Sequence, residues 1–317
     1  MSTSEPTGVP TNEPTDEPTG RSADEPTRSR AGTEEKSGST RDRNRPPAPE
    51  PLTHPVVDNH CHLDIADGER HSTEDALAAA RAVNVNRIVQ IGCDLPGARW
   101  AVDAAAKHDA LVAGVALHPN EAPRLAVAGR LDAAMAEIEA LARSHDKVRA
   151  VGETGLDHFR TGEEGHQSQE TSFRLHLDLA KRLDKTLVIH DRDAHDDVLR
   201  VVDEEGPPGR WVMHCFSGDA DFARRCLDRG GYLSFAGTVT FKNAQPLRDA
   251  LAFAPLDRIL VETDAPFLTP TPYRGRPNAS YLVPHIVRAM AEVRRDDLET
   301  LCAAIDGNTE RAFGGPW

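Results

Sequence analysis

Residues 148–190 read VRAVGETGLDHFRTGEEGHQSQETSFRLHLDLAKRLDKTLVIH, and this stretch decides the fold. It opens on a short β-branched run at 148–152, continues into apolar residues at helical spacing over 167–183, and returns to an aliphatic run at 186–189. Strand, helix and strand in that order make a unit whose two strands run parallel with the helix as crossover. Working outward in both directions, the same alternation persists. Strands are expected at 56–58, 87–91, 111–117, 148–152, 186–189, 210–213, 232–235 and 258–262, and helices at 73–83, 97–107, 131–143, 167–183, 195–204, 221–229, 247–254 and from 281 onward. Eight strand–helix units in about 265 residues match an α/β fold of the (β/α)8 TIM-barrel type, whereas a doubly wound sheet usually stops at about five to seven strands.

The rest of the composition bounds the function. The 317 residues hold 37 Lys and Arg against 51 Asp and Glu, a net charge of −14, so no broadly basic surface is available to hold nucleic acid. Local basic loops or bound metal would have to supply that charge. No run approaches the roughly 18 apolar residues of a membrane span, and the N-terminus has neither a basic, apolar leader nor an Arg-rich one, so a soluble, cytoplasmic protein is expected. Five cysteines, Cys61, Cys93, Cys215, Cys226 and Cys302, are scattered without a C-x-x-C pair, which speaks for reduced thiols. Residues 1–50 repeat Glu-Pro-Thr at Glu5, Glu13, Glu17 and Glu25 and hold almost no large apolar side chain. They read as a disordered tail ahead of a barrel over 51–317.

Chemistry in such a barrel belongs at the C-terminal ends of the strands. There the sequence places His60 and His62 after strand one, Glu153 after strand four, His190 after strand five, His214 after strand six and Asp264 after strand eight. One strand-end histidine is ordinarily a hydrogen-bonded loop residue. Six metal-competent groups on five strand ends are a ligand set that suits Zn, Mn, Fe or Mg. His118 and His158 follow strands three and four and are candidates for substrate contact.

These residues stand in motifs: DNHCHLD at 58–64, LHP at 117–119, GETGLD at 152–157, IHDRDA at 189–194, HCFSG at 214–218 and VETDAP at 261–266. Together, and in this order over 56–313, they resemble the TatD-type metal-dependent deoxyribonucleases of the amidohydrolase superfamily. The resemblance implies two divalent ions, Mg, Mn or Zn. His60 and His62 would bind one ion and His190 and His214 the other, with Glu153 bridging both and Asp264 completing the first. It implies hydrolysis of DNA phosphodiester bonds from a 3′ end, with Asp264 accepting the proton of the attacking water. Asp193, just after His190, is expected to fix the tautomer of a ligating histidine from behind, and Asp157 to hold a loop in the same way. Arg192, Lys242, Arg274 and Arg276 are expected to hold phosphates, the last two in a loop with Tyr273 suited to single-stranded DNA. Two positions depart from the family: Asp191 where a small hydroxyl is usual, and Ala279 where Glu is usual. A second reading keeps barrel and metals but changes the bond, because activated water also attacks esters and amides and some relatives are associated with removing D-amino acids from tRNA. A third reading is a non-catalytic barrel scaffold. No obligate protein partner and no membrane are implied.

Overall fold

The alternation is realised as eight parallel strands in consecutive order: β1 (Val56–Cys61), β2 (Val85–Gly92), β3 (Leu111–Val115), β4 (Val148–Asp157), β5 (Thr186–Arg192), β6 (Trp211–Met213), β7 (Tyr232–Phe235) and β8 (Ile259–Val261). This is a computed structural model, and it describes residues 28–29, 42–68 and 71–317. The helices are α1 (Thr73–Arg81), α2 (Leu95–Lys107), α3 (Ala122–Val127), α4 (Leu131–Ser144), α5 (Glu163–Leu183), α6 (His195–Glu205), α7 (Ala220–Leu227), α8 (Gln245–Phe253), α9 (Val283–Arg294) and α10 (Leu298–Ala312). None of the described helices is long and apolar enough to cross a membrane.

Period two along each strand sorts the core into two layers. Val57, Val89, Ile91, Val112, Ala150, Val188, Val212 and Leu260 fill the barrel interior, closed at its N-terminal end by Ala312 and Phe313. Their neighbours, among them Val56, Ile88, Leu187, Ile189, Trp211 and Phe235, turn outward under the helices. Strands β1 and β8 close the barrel through their extensions: Asp264 N–H donates to His60 O at 3.0 Å and His62 N–H to Ala265 O at 2.8 Å. Asp58, wholly buried, latches the same seam by accepting from the Thr263 N–H at 2.9 Å and hydroxyl at 2.6 Å. Closure therefore brings the ends of β1 and β8 together.

Three elements differ from expectation. A short helix, α3, precedes α4; the C-terminal helix is two, α9 and α10; and β4 and β5 run on past the rim, pairing Thr154–Asp157 with Ile189–Arg192. This extension needs glycine at one point, because Gly155 has φ +137° and a Cβ there would lie 2.1 Å from His190 O.

The expected tail falls, over residues 1–27 and 30–41, outside the described residues. Arg28–Ser29 pair with Ile65–Ala66. Residues 42–50 lie on the barrel, so the folded part begins before Pro51. Arg276 donates to the carbonyls of Asn44 at 2.8 Å and Arg45 at 2.7 Å, Tyr281 Oη to Pro46 O at 2.5 Å, and Arg288 to Glu50 O at 2.7 Å. Removing residues 2–50 strips acceptors from three side chains, of which the Tyr281 hydroxyl is a buried donor, and such a donor left unpaired costs about 1–3 kcal/mol. The expected result is a melting temperature lower by about 4 °C or more in scanning calorimetry. An unchanged transition would show that these contacts add nothing.

Candidate metal centre

Val188 and Val212 point into the barrel, so the same alternation sends His190 and His214, two residues on, to the same side. His60 and Glu153 arrive differently. Between Asp58 and Cys61, β1 carries one residue more than β2, and between Gly152 and Thr154, β4 carries one more than β5. Each extra residue breaks the alternation. Glu153 is the extra residue of β4, and its carboxylate enters the barrel mouth.

There it meets histidines on several sides. Glu153 Oε2 lies 2.8 Å from His214 Nε2, 3.4 Å from His190 Nδ1 and 3.7 Å from His60 Nε2, while Oε1 lies 4.0 Å from His62 Nε2. Asp264 Oδ1 lies 3.3 Å from His62 Nε2 and 3.9 Å from His60 Nε2. Ligand-type atoms of His60, His62 and Glu153, of Glu153, His190 and His214, and of His60, His214 and Asp264 stand within 4.8 Å of one another. Glu153 is common to the first two groups.

The donor chemistry fits a cation. Both ring nitrogens of His60, both of His190 and Glu153 Oε2 are buried without a hydrogen-bond partner. A buried polar group is costly when unpaired, and a cation that accepts one lone pair from each of the two rings and one from Glu153 would account for three of these five atoms. Tautomers agree. His62 Nδ1 faces the Ile91 carbonyl at 3.0 Å, and a carbonyl only accepts, so Nδ1 carries the proton and Nε2 offers its lone pair. His214 Nδ1 likewise donates to Glu262 Oε1 at 2.9 Å, turning Nε2 toward Glu153. His118 is set the other way. Its Nδ1 accepts from the Asn120 N–H at 3.1 Å, so Nε2, 3.6 Å from Glu153 Oε1, is a donor. The grouping of His118, Asp157 and His190 is therefore a hydrogen-bonding wall and not a further cation site.

Behind the ligand-type atoms stands a layer that the sequence reading only partly named. Glu262, fully buried, also accepts from the Cys215 N–H at 2.9 Å and from Ser234 Oγ at 2.5 Å, and Asn59 donates to Ser234 Oγ at 2.7 Å. Cys93 Sγ donates to Glu153 Oε1 at 3.2 Å. Glu262, Ser234, Asn59 and Cys93 were not among the expected site residues. A signal existed for Glu262, which shares the strand-eight motif with Asp264. None existed for Cys93, whose approach depends on how β2 and β4 lie in space.

Charge at the centre is balanced by imidazoles. Burial opposes ionisation of Glu153, but His118, His214 and His190 hold its carboxyl well below the usual range. Burial also opposes the protonated form of His62, yet Asp264 and Glu153 push it up to about 9, and against the same opposition Glu262 and Glu153 hold His214 well above its usual value. His60 is the exception: burial, aided by His214, drives it well below and keeps the ring neutral. Without a cation His62 and His214 are thus held as imidazolium rings with a second proton on Nε2, the atom whose lone pair a metal ion would take in place of that proton, and the carboxylates gather positive charge where a cation would sit.

The residues expected to act from the periphery divide. A cavity of about 670 Å³ opens over the cluster, lined by His118, Asp157, Arg160 and Arg192 among others. Asp157 Oδ2 stands 3.4 Å from His190 Nε2 and accepts from Asn120 at 3.1 Å, so it is the carboxylate facing His190. Asp193 is exposed, with φ +57° turning the chain away. His158 does not line the cavity; its ring stacks on His166 at 3.8 Å. Lys242 and Arg274 are exposed beyond it, Arg274 lying 3.9 Å over the Phe241 ring. Arg276 is committed to the backbone of residues 44–45, which its isolated place in the sequence could not reveal. Asp191 accepts from the Ala194 N–H at 3.2 Å at the start of α6, a bond that a small hydroxyl could also make, and from His195 Nδ1 at 2.5 Å. Its charge is thereby paired rather than presented to a phosphate. Ala279 is buried beside a second cavity of about 370 Å³.

Comparison with known proteins points to metal-dependent hydrolases. The family model described as TatD related DNase matches residues 57–314. An uncharacterized metal-dependent hydrolase TatD of Mycobacterium tuberculosis is 43% identical over 268 residues, 83% of this chain and 99% of that protein. The uncharacterized metal-dependent hydrolase YcfH of Escherichia coli is 37% identical, covering 81% and 95%. Among solved structures, the TatD homolog YJJV of Escherichia coli superposes with a TM-score of 0.75 at 27% identity, covering 82% of this chain and 98% of that one. A barrel with this cluster at its C-terminal mouth, and this likeness along nearly all of it, make the chain a member of the TatD family of metal-dependent hydrolases.

Proposed function

We propose that the protein is a two-metal phosphodiesterase that cuts DNA, releasing mononucleotides from the 3′ end of a single strand. The observation that carries this reading is Glu153, a single carboxylate common to two groups of ligand-type atoms. In it His60, His62 and Asp264 would hold one divalent ion and His190 and His214 the other, with Glu153 shared between them. Bound ions would supply Lewis-acid charge that polarises the phosphate and eases deprotonation of water.

The chain's own groups do the rest. Asp264 Oδ1, facing His62 and His60, takes the proton of the attacking water. His118 Nε2–H, fixed as a donor by Asn120, hydrogen-bonds an oxygen of the reacting phosphate. Arg192 on the cavity wall offers a planar fork to a phosphate, and Arg274 lies farther out along the strand. With a net charge of −14 on the chain, these local cations carry the electrostatic part of binding.

End-labelled single- and double-stranded DNA incubated with Mg, Mn or Zn tests the reading. Expected is metal-dependent release of mononucleotides from the single strand, suppressed between 50 and 200 mM salt by roughly tenfold or more. In the double variant Arg192→Ala, Arg274→Ala, the log–log salt slope of binding should fall by about one to two units. Intact DNA after prolonged incubation, with turnover of a D-aminoacyl ester, would replace this reading by the deacylase one.

A further inference from the structure

Four large apolar side chains are exposed among the described residues: Val127, Phe159, Leu175 and Phe253. Val127, Leu175 and Phe253 lie on α3, α5 and α8. Phe159 alone follows the C-terminal end of a barrel strand, two residues after Asp157, and it is 62% exposed. The ring does not itself line the cavity over the metal centre, but its neighbours Asp157, Arg160 and Arg192 do, and an open ring is unfavourable in water.

The ring is also held in place. Its loop is pinned on both sides, by His158 N–H to Arg192 O at 2.9 Å and by Arg160 N–H to Asp157 Oδ1 at 2.8 Å. Thr161 Oγ1 donates to Asn120 Oδ1 at 2.9 Å, and His158 stacks on His166. The Arg192 guanidinium lies 4.0 Å over the Phe159 ring, while Arg192 and Arg160 both line the cavity. A fixed aromatic with a cation against it, next to two arginines that line a cavity of about 670 Å³, has the parts of a nucleotide subsite: a stacking surface for the base and guanidinium groups for the phosphate.

We propose that Phe159 stacks the nucleobase adjoining the scissile phosphate, so that it sets affinity for single-stranded ends. The inference rests on the nuclease reading and adds to it the residue that holds the base. Stacking is tolerant of base identity, because every base has a π face, so little sequence preference accompanies it. In an acidic protein such a contact strengthens binding without adding a cation.

The test uses the full chain, its Phe159→Ala and Phe159→Trp variants, and two oligodeoxynucleotides differing only in abasic residues at the last two 3′ positions. On the base-bearing strand, Phe159→Ala should raise KM roughly tenfold with kcat little changed, and Phe159→Trp should restore it. On the abasic strand the original protein and Phe159→Ala should converge. The ring is exposed, so melting temperatures should agree and exclude a folding artefact. Equal KM for the original protein and Phe159→Ala on the base-bearing strand, or an equal loss on both strands, overturns the stacking role and leaves the nuclease reading standing. No cleavage of either strand by the original protein overturns both.

Discussion

Glu153→Gln is expected to lower turnover by about two orders of magnitude or more and to lose at least one bound ion per chain. The change keeps the shape of the side chain and removes its charge. Glu153 has histidines on several sides, and its carboxylate is the negative group common to both ligand groups. A glutamine amide presents one oxygen that accepts and one NH2 that cannot coordinate, so one group loses its carboxylate ligand whichever way the amide turns. Elemental analysis of the purified variant reads the ion count directly. Two ions per chain with undiminished activity would remove Glu153 from the centre. His108→Ala serves as the contrast, because His108 ends α2 on the far side of the strands and its loss should leave turnover nearly unchanged.

Glu262→Gln is expected to weaken metal binding by about 10–100-fold, although Glu262 itself stands behind the ligand-type atoms. Its carboxylate accepts three bonds, from His214 Nδ1, the Cys215 N–H and Ser234 Oγ. Glutamine can keep only some of them. If its NH2 faces His214, Nδ1 must become the acceptor, the ring proton moves to Nε2, and the atom turned toward Glu153 is no longer a lone pair. If the NH2 faces Ser234 instead, the chain from Asn59 through Ser234 is broken inside a fully buried site. A calorimetric titration of the metal-free variant with Mn or Zn separates this from a simple loss of activity. Unchanged affinity would mean that the tautomer of His214 is set by something other than Glu262.

Much of the fold was legible because the barrel is a repetition. Most strands are short apolar runs buried on both faces, most helices longer amphipathic stretches, and the count of eight survives errors of a few residues at each boundary. The site was legible where the chemistry is local. His190 and His214 follow from alternation alone, and His60 with His62 from a two-residue spacing. The errors lie where distant segments meet. Arg276 looks like a phosphate ligand beside Arg274 until residues 44–45 offer it two carbonyls. Asp193 is the expected backing for His190 until the left-handed turn there leaves it exposed, and Asp157, expected only to hold a loop, stands 3.4 Å from His190 Nε2 instead.

The sequence by itself determined which side chains could bind a metal and on which strand ends they stand, because residue type and period are written in the chain. Only the tertiary structure decided that they converge. One extra residue in β1 relative to β2 and one in β4 relative to β5 shift His60 and Glu153 out of the alternating pattern, and the register of paired strands is a property of both partners. Closure of β1 on β8 then sets Asp264 beside His60 and His62. The same closure buries Glu262 behind His214. Which nitrogen of His62, His118 and His214 carries a proton toward its backing group follows from those neighbours, a carbonyl, an amide N–H and a carboxylate, and the partners of His62 and His214 come from segments 29 and 48 residues away.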